Sequence, residues 1–392
     1  MANSSKHNLI SADSHILEPP DLFTTRLPAH LQARAPKLVP WNGGSAWQVE
    51  GCEPVPLPPT AKTGSAYRPG NRTDGKPISY DEVLPALTDP AERIKAQGAD
   101  SVDAEILYPS PGLWDAIKQL ADAELKLACV RVYNDWIAKF CSYDPRRLIG
   151  LAKIPTTSVA DACAELQRCV KDLKLRGVIL DAWPSGAAVG GNPADDPFWA
   201  LVNEIGVPVS LHFAVGNESE SMPSAEIGPG LKPPMADVVL PMVAAGVFDR
   251  FPKVQIVFAH GDASWALHWL EFTDINYLRH RHLGEYALKD PDALPSEYIR
   301  RHVWFTFHHD STAVKNRHNI GPAHLMWASH FPYDDCNWPD DRQHAMRVTA
   351  QASAEARGAL MVDNVARLYR LAGYEDGFSA AAIKDFAPLV HL

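Results

Sequence analysis

The sequence predicts an α/β chain folded as a (β/α)₈ TIM barrel with long insertions in its βα loops. Three observations predict it: eight short apolar runs, amphipathic stretches between them, and a histidine or acid where several of the runs stop. Near-continuously apolar strands belong to a parallel sheet covered on both faces, and eight β/α units in one chain close into a barrel. The competing open, doubly wound sheet is disfavoured, because no Gly-x-Gly-x-x-Gly turn follows the first strand.

The runs cover residues 9–12, 104–108, 148–154, 177–180, 207–212, 254–259, 303–307 and 325–328. Helical spacing joins Leu120, Ala123, Leu127, Val130 and Ile137 on one face. Ser158 reads as the N-cap of a helix carrying Ala162, Leu166 and Val170. Another helix starts at Asp262 or Ala263 and runs through Trp265, Trp269 and Phe272, and residues 352–373 read as helix. Two stretches interrupt the alternation. Residues 41–80 are rich in Pro and Gly and read as an insertion after the first strand, a lid or an oligomer contact. Residues 214–234 read as a second long βα loop. Both would lie over the C-terminal face of the barrel, where substrates bind.

Composition bounds the function. A chain of 392 residues allows one large domain or two ordinary ones, and the pattern favours a single metal-dependent barrel domain over residues 1–392. Its 46% hydrophobic and 21% charged content suits a soluble protein with a core. With 37 basic against 47 acidic residues, the net charge of -10 argues against a nucleic-acid partner held by phosphate contacts. Residues 1–7 are polar, and no apolar run reaches the roughly 20 residues that cross a bilayer, so no membrane partner is expected. The six cysteines are scattered, without disulfide or Cys-x-x-Cys spacing, and a cytoplasmic location is expected.

The chemistry lies at the strand ends. The first strand ends in Asp13-Ser14-His15, and residues two apart in a strand share a side, so one carboxylate and one imidazole both face the barrel interior. Glu18 lies just beyond. The fifth strand ends at His212, the sixth at His260, the seventh at His308-His309 and the eighth at His330. One such histidine is more often a satisfied core or loop residue. Five strand ends behaving alike are hard to explain by packing, because buried imidazoles and carboxylates must be paired or metal-bound. Only one of His308 and His309 can point inward; His309 is preferred, with His308 the alternative. His268, His280, His282, His318 and His344 fall on helical or loop patterns.

On these residues the chain resembles the amidohydrolase-related proteins, a group that includes metal-dependent decarboxylases and hydrolases. The resemblance rests on Ala12-Asp13-Ser14-His15 through Glu18-Pro19, Leu211-His212, His260-Gly261 with Trp265, the run from Leu325 to Pro332, and Asp363 to Leu368. It implies metal ligands on strands one, five, six and eight. The strand-eight motif departs from the family pattern Ser-Asp-[Tyr/Phe]-Pro-His: His330 stands for the aspartate and Tyr333 for the following histidine. A coordinated imidazole is a poor base, so ordinary hydrolysis is put in doubt.

Asp13, His15, Glu18, His212, His260, His309 and His330 make seven potential ligands, enough for two ions where one needs about four. Mixed imidazole and carboxylate ligation suits iron or manganese, and open positions on iron admit dioxygen. The pattern looks like a branch of barrel-fold non-heme diiron monooxygenases typified by platensimycin and platencin diterpenoid hydroxylation. That resemblance implies an iron-dependent oxygenase with two Fe ions. It would hydroxylate an unactivated C–H bond of a bulky, apolar, acyl-CoA-linked substrate with dioxygen and an electron donor, in antibiotic biosynthesis. Trp114, Trp183, Trp265 and Trp338 are candidates to line its pocket. The second reading is a decarboxylase or hydrolase with Zn or Mn, against which His330 counts. The third is a degenerate binding barrel. The insertion and the apolar last helix would suit a homodimer.

Overall fold

The computed structural model describes residues 9–64, 76–212, 235–284, 286–333 and 335–374. Its strands are β1 (Ile10–His15), β2 (Lys37–Trp41), β3 (Gly44–Gln48), β4 (Val55–Pro56), β5 (Ala104–Tyr108), β6 (Leu148–Gly150), β7 (Ala152–Lys153), β8 (Val178–Leu180), β9 (Val209–His212), β10 (Ile256–Ala259), β11 (Val303–Phe307) and β12 (Leu325–Trp327). All but β2–β4 pair in parallel, in the order β1-β5-β6 and β7-β8-β9-β10-β11-β12. Leu151 alone separates β6 from β7, so the two form one stave of the barrel. The other seam closes where His15 N donates to Phe331 O (2.7 Å) and His330 N donates to Asp13 O (2.9 Å). The result is the (β/α)₈ barrel.

Helices follow the strands as the apolar spacing requires. Ala123–Cys141 starts with Asp122 Oδ1 accepting from Glu124 N and Leu125 N. Val159–Lys171 starts with Ser158 Oγ accepting from Asp161 N at 3.0 Å. Both are N-caps of the expected chemistry. A Cβ on Gly150 would lie 2.4 Å from Ile137, so glycine lets helix Ala123–Cys141 sit close on the sheet. The helix expected from Asp262 or Ala263 begins later, at Ala266, because the Asp310 carboxylate holds Ala263 N and Ser264 N in the turn before it. The C-terminal helical segment runs from Ala354–Gly358 through Asn364–Tyr369.

The Pro/Gly-rich insertion carries structure of its own, and that structure begins before residue 41. β2, β3 and β4 form an antiparallel meander. Asn42 and Gly43, both at positive φ, make its two-residue hairpin turn. Trp47 is buried against Phe23, and Gly64 packs on Phe331 and Trp338. Residues 214–234 lie outside the described residues. Among the described residues no helix is long and apolar enough to cross a membrane.

β1 carries the decisive irregularity. It pairs with β5 through Ser11↔Glu105 and then Ser14↔Leu107, so one extra residue sits between Ser11 and Ser14. Such a bulge re-aims side chains at the rim of a barrel. The loosened backbone is tied back by Ser11 Oγ donating to Asp13 O and by Ser14 Oγ donating to Ser11 Oγ, both at 2.9 Å.

Candidate metal centre

Asp13 and His15 close β1 at the barrel mouth, His212 ends β9, and His260 follows directly on β10. Their ligand atoms all lie within 4.8 Å of one another. Asp13 is the hub. Its carboxylate is 3.2 Å from His15 Nε2, 3.8 Å from His212 Nε2, 3.6 Å from His260 Nδ1 and 3.8 Å from His330 Nε2. His15 is aimed by its other nitrogen, since Nδ1 bonds Pro109 O at 2.9 Å. His260 and His330 both adopt left-handed backbone, φ 62 and 59. For non-glycine residues that costs about 1–3 kcal/mol each and is typical of functional sites. It lets each strand turn its imidazole back over the mouth.

The cluster is buried but unsatisfied. Both Asp13 oxygens, His15 Nε2, His212 Nε2 and His330 Nε2 are inaccessible to water and have no hydrogen-bond partner in the described protein. Buried polar atoms are nearly always paired, and a carboxylate with converging imidazole nitrogens is a donor set for a divalent ion. The protonation states agree. Burial pulls the His212 imidazole well below its usual range, leaving a free lone pair. Burial would raise the Asp13 carboxyl, but His15, His260 and His212 hold it well below the carboxylate range.

His330 has a second partner. Its Nδ1 contacts the Asp335 carboxylate, and its ring lies 4.1 Å from that of His260. Burial opposes its charge, but Asp335 outweighs burial and pushes the imidazole up to about 9. Asp335 was not among the residues singled out above; its signal was an acid five positions after His330, in a loop of unreadable shape.

Glu18 and His309 do not join the cluster. Glu18 is buried beside it and accepts from Ser110 N, Ser110 Oγ and Trp114 Nε1 (2.7 Å), so its oxygens are spoken for. Burial raises its pKa despite those donors. On the seventh barrel strand it is His308 that is buried, while His309 is exposed with Nε2 on Asp335 O. β11 ends at Phe307, so the inside–outside alternation that favoured His309 no longer holds there. His308, His309 and His344 gather beyond His330 as a separate group.

A cavity of about 540 Å³ opens over Asp13's imidazoles, lined by His15, His212, His260 and His330, by Tyr108, Trp114 and Tyr333, and by Lys153, Asp181 and Asp115. That volume suits a small-molecule ligand. Of the four tryptophans proposed for the pocket, Trp114 lines it; Trp183 is buried against Trp199, Trp265 stacks on Phe258, and Trp338 packs on Phe331. Among the described residues Lys153 is the one Lys or Arg in the lining, and it is paired with Asp181.

A family model described as amidohydrolase matches residues 82–371, and the chain belongs to that family. It is 28% identical over 272 residues (66% of this chain, 70% of the relative) to a 2-amino-3-carboxymuconate-6-semialdehyde decarboxylase of Dictyostelium discoideum. It is 25% identical over 342 residues (80% and 96%) to a gamma-resorcylate decarboxylase of Rhodococcus jostii. Among solved structures it resembles an amidohydrolase from Mycobacterium avium subsp. paratuberculosis, with TM-score 0.71 and 19% identity over 93% of this chain and 98% of that one. It also resembles a dihydroxybenzoic acid decarboxylase from Polaromonas with bound manganese and 2-nitroresorcinol, with TM-score 0.62 and 17% identity over 93% and 97%.

These likenesses correct the expectation of an iron-dependent oxygenase. The two curated relatives named above are decarboxylases, a reaction that needs neither dioxygen nor an electron donor, and the diterpenoid, antibiotic-biosynthesis and oxidoreductase assignments fall with the oxygenase. The geometry also shortens the list of seven ligands, because Glu18 and His309 are bonded elsewhere. Asp13, His15, His212 and His260 make one group able to hold an ion, and His260, His330 and Asp335 make an adjoining one that shares His260 with it.

Proposed function

We propose that the chain catalyses non-oxidative decarboxylation of a small aromatic or conjugated carboxylic acid, using one divalent cation, manganese or zinc. The observation that carries this reading is the buried, unsatisfied Asp13 carboxylate facing imidazole nitrogens at the floor of a cavity of substrate size. Asp13, His15, His212 and His260 would hold the cation, which when bound would polarise the substrate's carboxylate and the group beside it. The manganese of the Polaromonas decarboxylase supports the choice of metal.

The chain's own groups supply the rest. Loss of carbon dioxide needs a proton at the carbon left behind, so that ArCOO⁻ and H⁺ give ArH and CO₂. His330 is the group placed to deliver it. Asp335 holds the Nδ1 proton and fixes the tautomer, which leaves Nε2 facing Asp13 and the cavity. In this role His330 carries a proton rather than serving as a ligand. Tyr333, edge-on to His15 at 4.5 Å, and Trp114 wall the floor against water. The packed insertion around Trp47 acts as a fixed wall of this single barrel domain.

The test is turnover under nitrogen. The manganese- or zinc-loaded protein, given 2,6-dihydroxybenzoate and a panel of hydroxybenzoates and conjugated acids, should release carbon dioxide and arene in equal amounts. Hydroxylation coupled to oxygen uptake, or no carbon dioxide from any of these acids, would overturn the assignment.

A further inference from the structure

We infer that Lys153 and Asp181 together read a neutral donor–acceptor group on the substrate, a phenolic hydroxyl in an aromatic acid, at the wall of the cavity built by the third and fourth barrel strands. The inference rests on the aromatic-acid reading above and adds what the far part of that acid must look like.

Lys153 ends β7, and Asp181 follows β8. Both line the cavity that holds Asp13's imidazoles. Lys153 is 2% exposed, and a buried ammonium is costly unless paired. Here Nζ pairs with Asp181 Oδ2 and lies 5.1 Å from the centre of the Trp114 ring. The side chain is not needed to seat the strand. The Lys153 main chain is held on both sides by one amide: Asn134 Nδ2 donates to Lys153 O (2.9 Å), and Lys153 N donates to Asn134 Oδ1 (2.8 Å). Asn134 is in turn fixed by Glu165 Oε1 at 2.7 Å. A backbone anchored this firmly, carrying a buried charge aimed into a cavity, is the pattern of a preorganised binding group.

Charge decides what it binds. On this wall one ammonium faces two carboxylates, Asp181 and Asp115. Asp181 is paired with Lys153, and Asp115 lies 3.9 Å from Lys118 Nζ, so with both acids ionised the charges cancel and a second substrate carboxylate gains no net attraction. A hydroxyl fits both partners: it accepts from Lys153 Nζ and donates to the Asp181 carboxylate, whose Oδ1 is not used in the ion pair. A site built to hydrogen-bond a hydroxyl also discriminates strongly against an analogue that lacks it.

The experiment is equilibrium binding to the manganese-loaded protein by calorimetry, which reads recognition without requiring turnover. The probes are benzoate, 3- and 4-hydroxybenzoate, isophthalate and terephthalate. In the 3- and 4-isomers the hydroxyl is too far from the carboxylate to chelate the same cation. The expected result is that one hydroxybenzoate binds about tenfold or more tighter than benzoate, and tighter than the matching dicarboxylate. In Asp181→Asn and in Lys153→Met that ratio should fall below about threefold. Each ratio is taken within one protein, so a general loss of affinity cancels, and the isosteric Asp181→Asn carries the test if Lys153→Met folds poorly. Tightest binding by a dicarboxylate, or a hydroxyl preference that survives in both variants, overturns this inference alone. Failure of the wild-type protein to bind any of the five acids removes the aromatic-acid reading and this inference with it.

Discussion

Two buried charge clusters flank β1 and end differently. On one side Arg93, on helix Pro90–Asp100, grips Glu105 of β5 with two hydrogen bonds, 2.6 and 3.0 Å, while Gln97 Nε2 donates to the same carboxylate. Arg93 also donates to His15 O at 2.8 Å and lies 4.7 Å from the Phe331 ring. On the other side Asp13 meets only imidazoles, and its oxygens lack hydrogen-bond donors. Both clusters are buried and both centre on a carboxylate. In the first, the Glu105 carboxylate is saturated by its own chain, which ties helix Pro90–Asp100 to β5. The second is left open, which is stable only if something from outside completes it. Burial alone therefore does not mark a functional site; a buried carboxylate left open among converging imidazoles does.

The contrast can be broken from either side. The largest effect is expected at Asp13. Asp13→Asn should remove the bound cation and lower turnover by about a thousandfold or more, comparable to losing an essential catalytic group; metal analysis with carbon dioxide release checks this. Its fold should persist, because no hydrogen bond to those carboxylate oxygens holds the barrel together. Arg93→Met should do the reverse. It strands the Glu105 carboxylate and should cost about 3–5 kcal/mol of stability, read as a shifted urea midpoint, with the cation still bound.

His330→Gln sharpens the division within the open cluster. If His330 carries a proton, one cation per chain is retained and turnover falls by about 10²–10⁴-fold. If it is a ligand, the metal is lost with the activity. The smallest effect is on the stability of the metal-free protein in acid. Burial drives His324, stacked on Trp304 at 4.2 Å, down to about 4, and burial with the neighbouring His308 and His309 drives His344 there too. The unfolded chain protonates these groups near 6.5, so below that pH it binds more protons than the fold does. Stability should decline as pH falls from about 6.5 to 4, and His324→Gln should flatten the slope measured by denaturant titration.

The barrel was legible because its strands are buried on both faces and read as unbroken apolar runs, and the centre was legible because those runs stop at Asp13, His15, His212, His260 and His330. What escaped depended on contacts distant in the chain or on local turn chemistry. Glu18 looked like a ligand until Ser110 and Trp114, 92 and 96 residues away, took its oxygens. His308 and His309 exchanged roles because strand alternation was carried past the end of β11. The Asn42-Gly43 hairpin was written in the sequence and hidden by the prolines around it. Lys153 and Asp181 sit at the mouth ends of the third and fourth apolar runs, which carry no histidine, so the signal that picked out the metal centre passes over them.

The most direct test of the account is an anomalous-diffraction map of crystals loaded with zinc. The expected result is a single site, about 2.0–2.2 Å from an Asp13 oxygen and from the facing nitrogens of His15, His212 and His260. A pair of ions drawing in Glu18 and His309, or density confined to the His308–His309–His344 group, would contradict it.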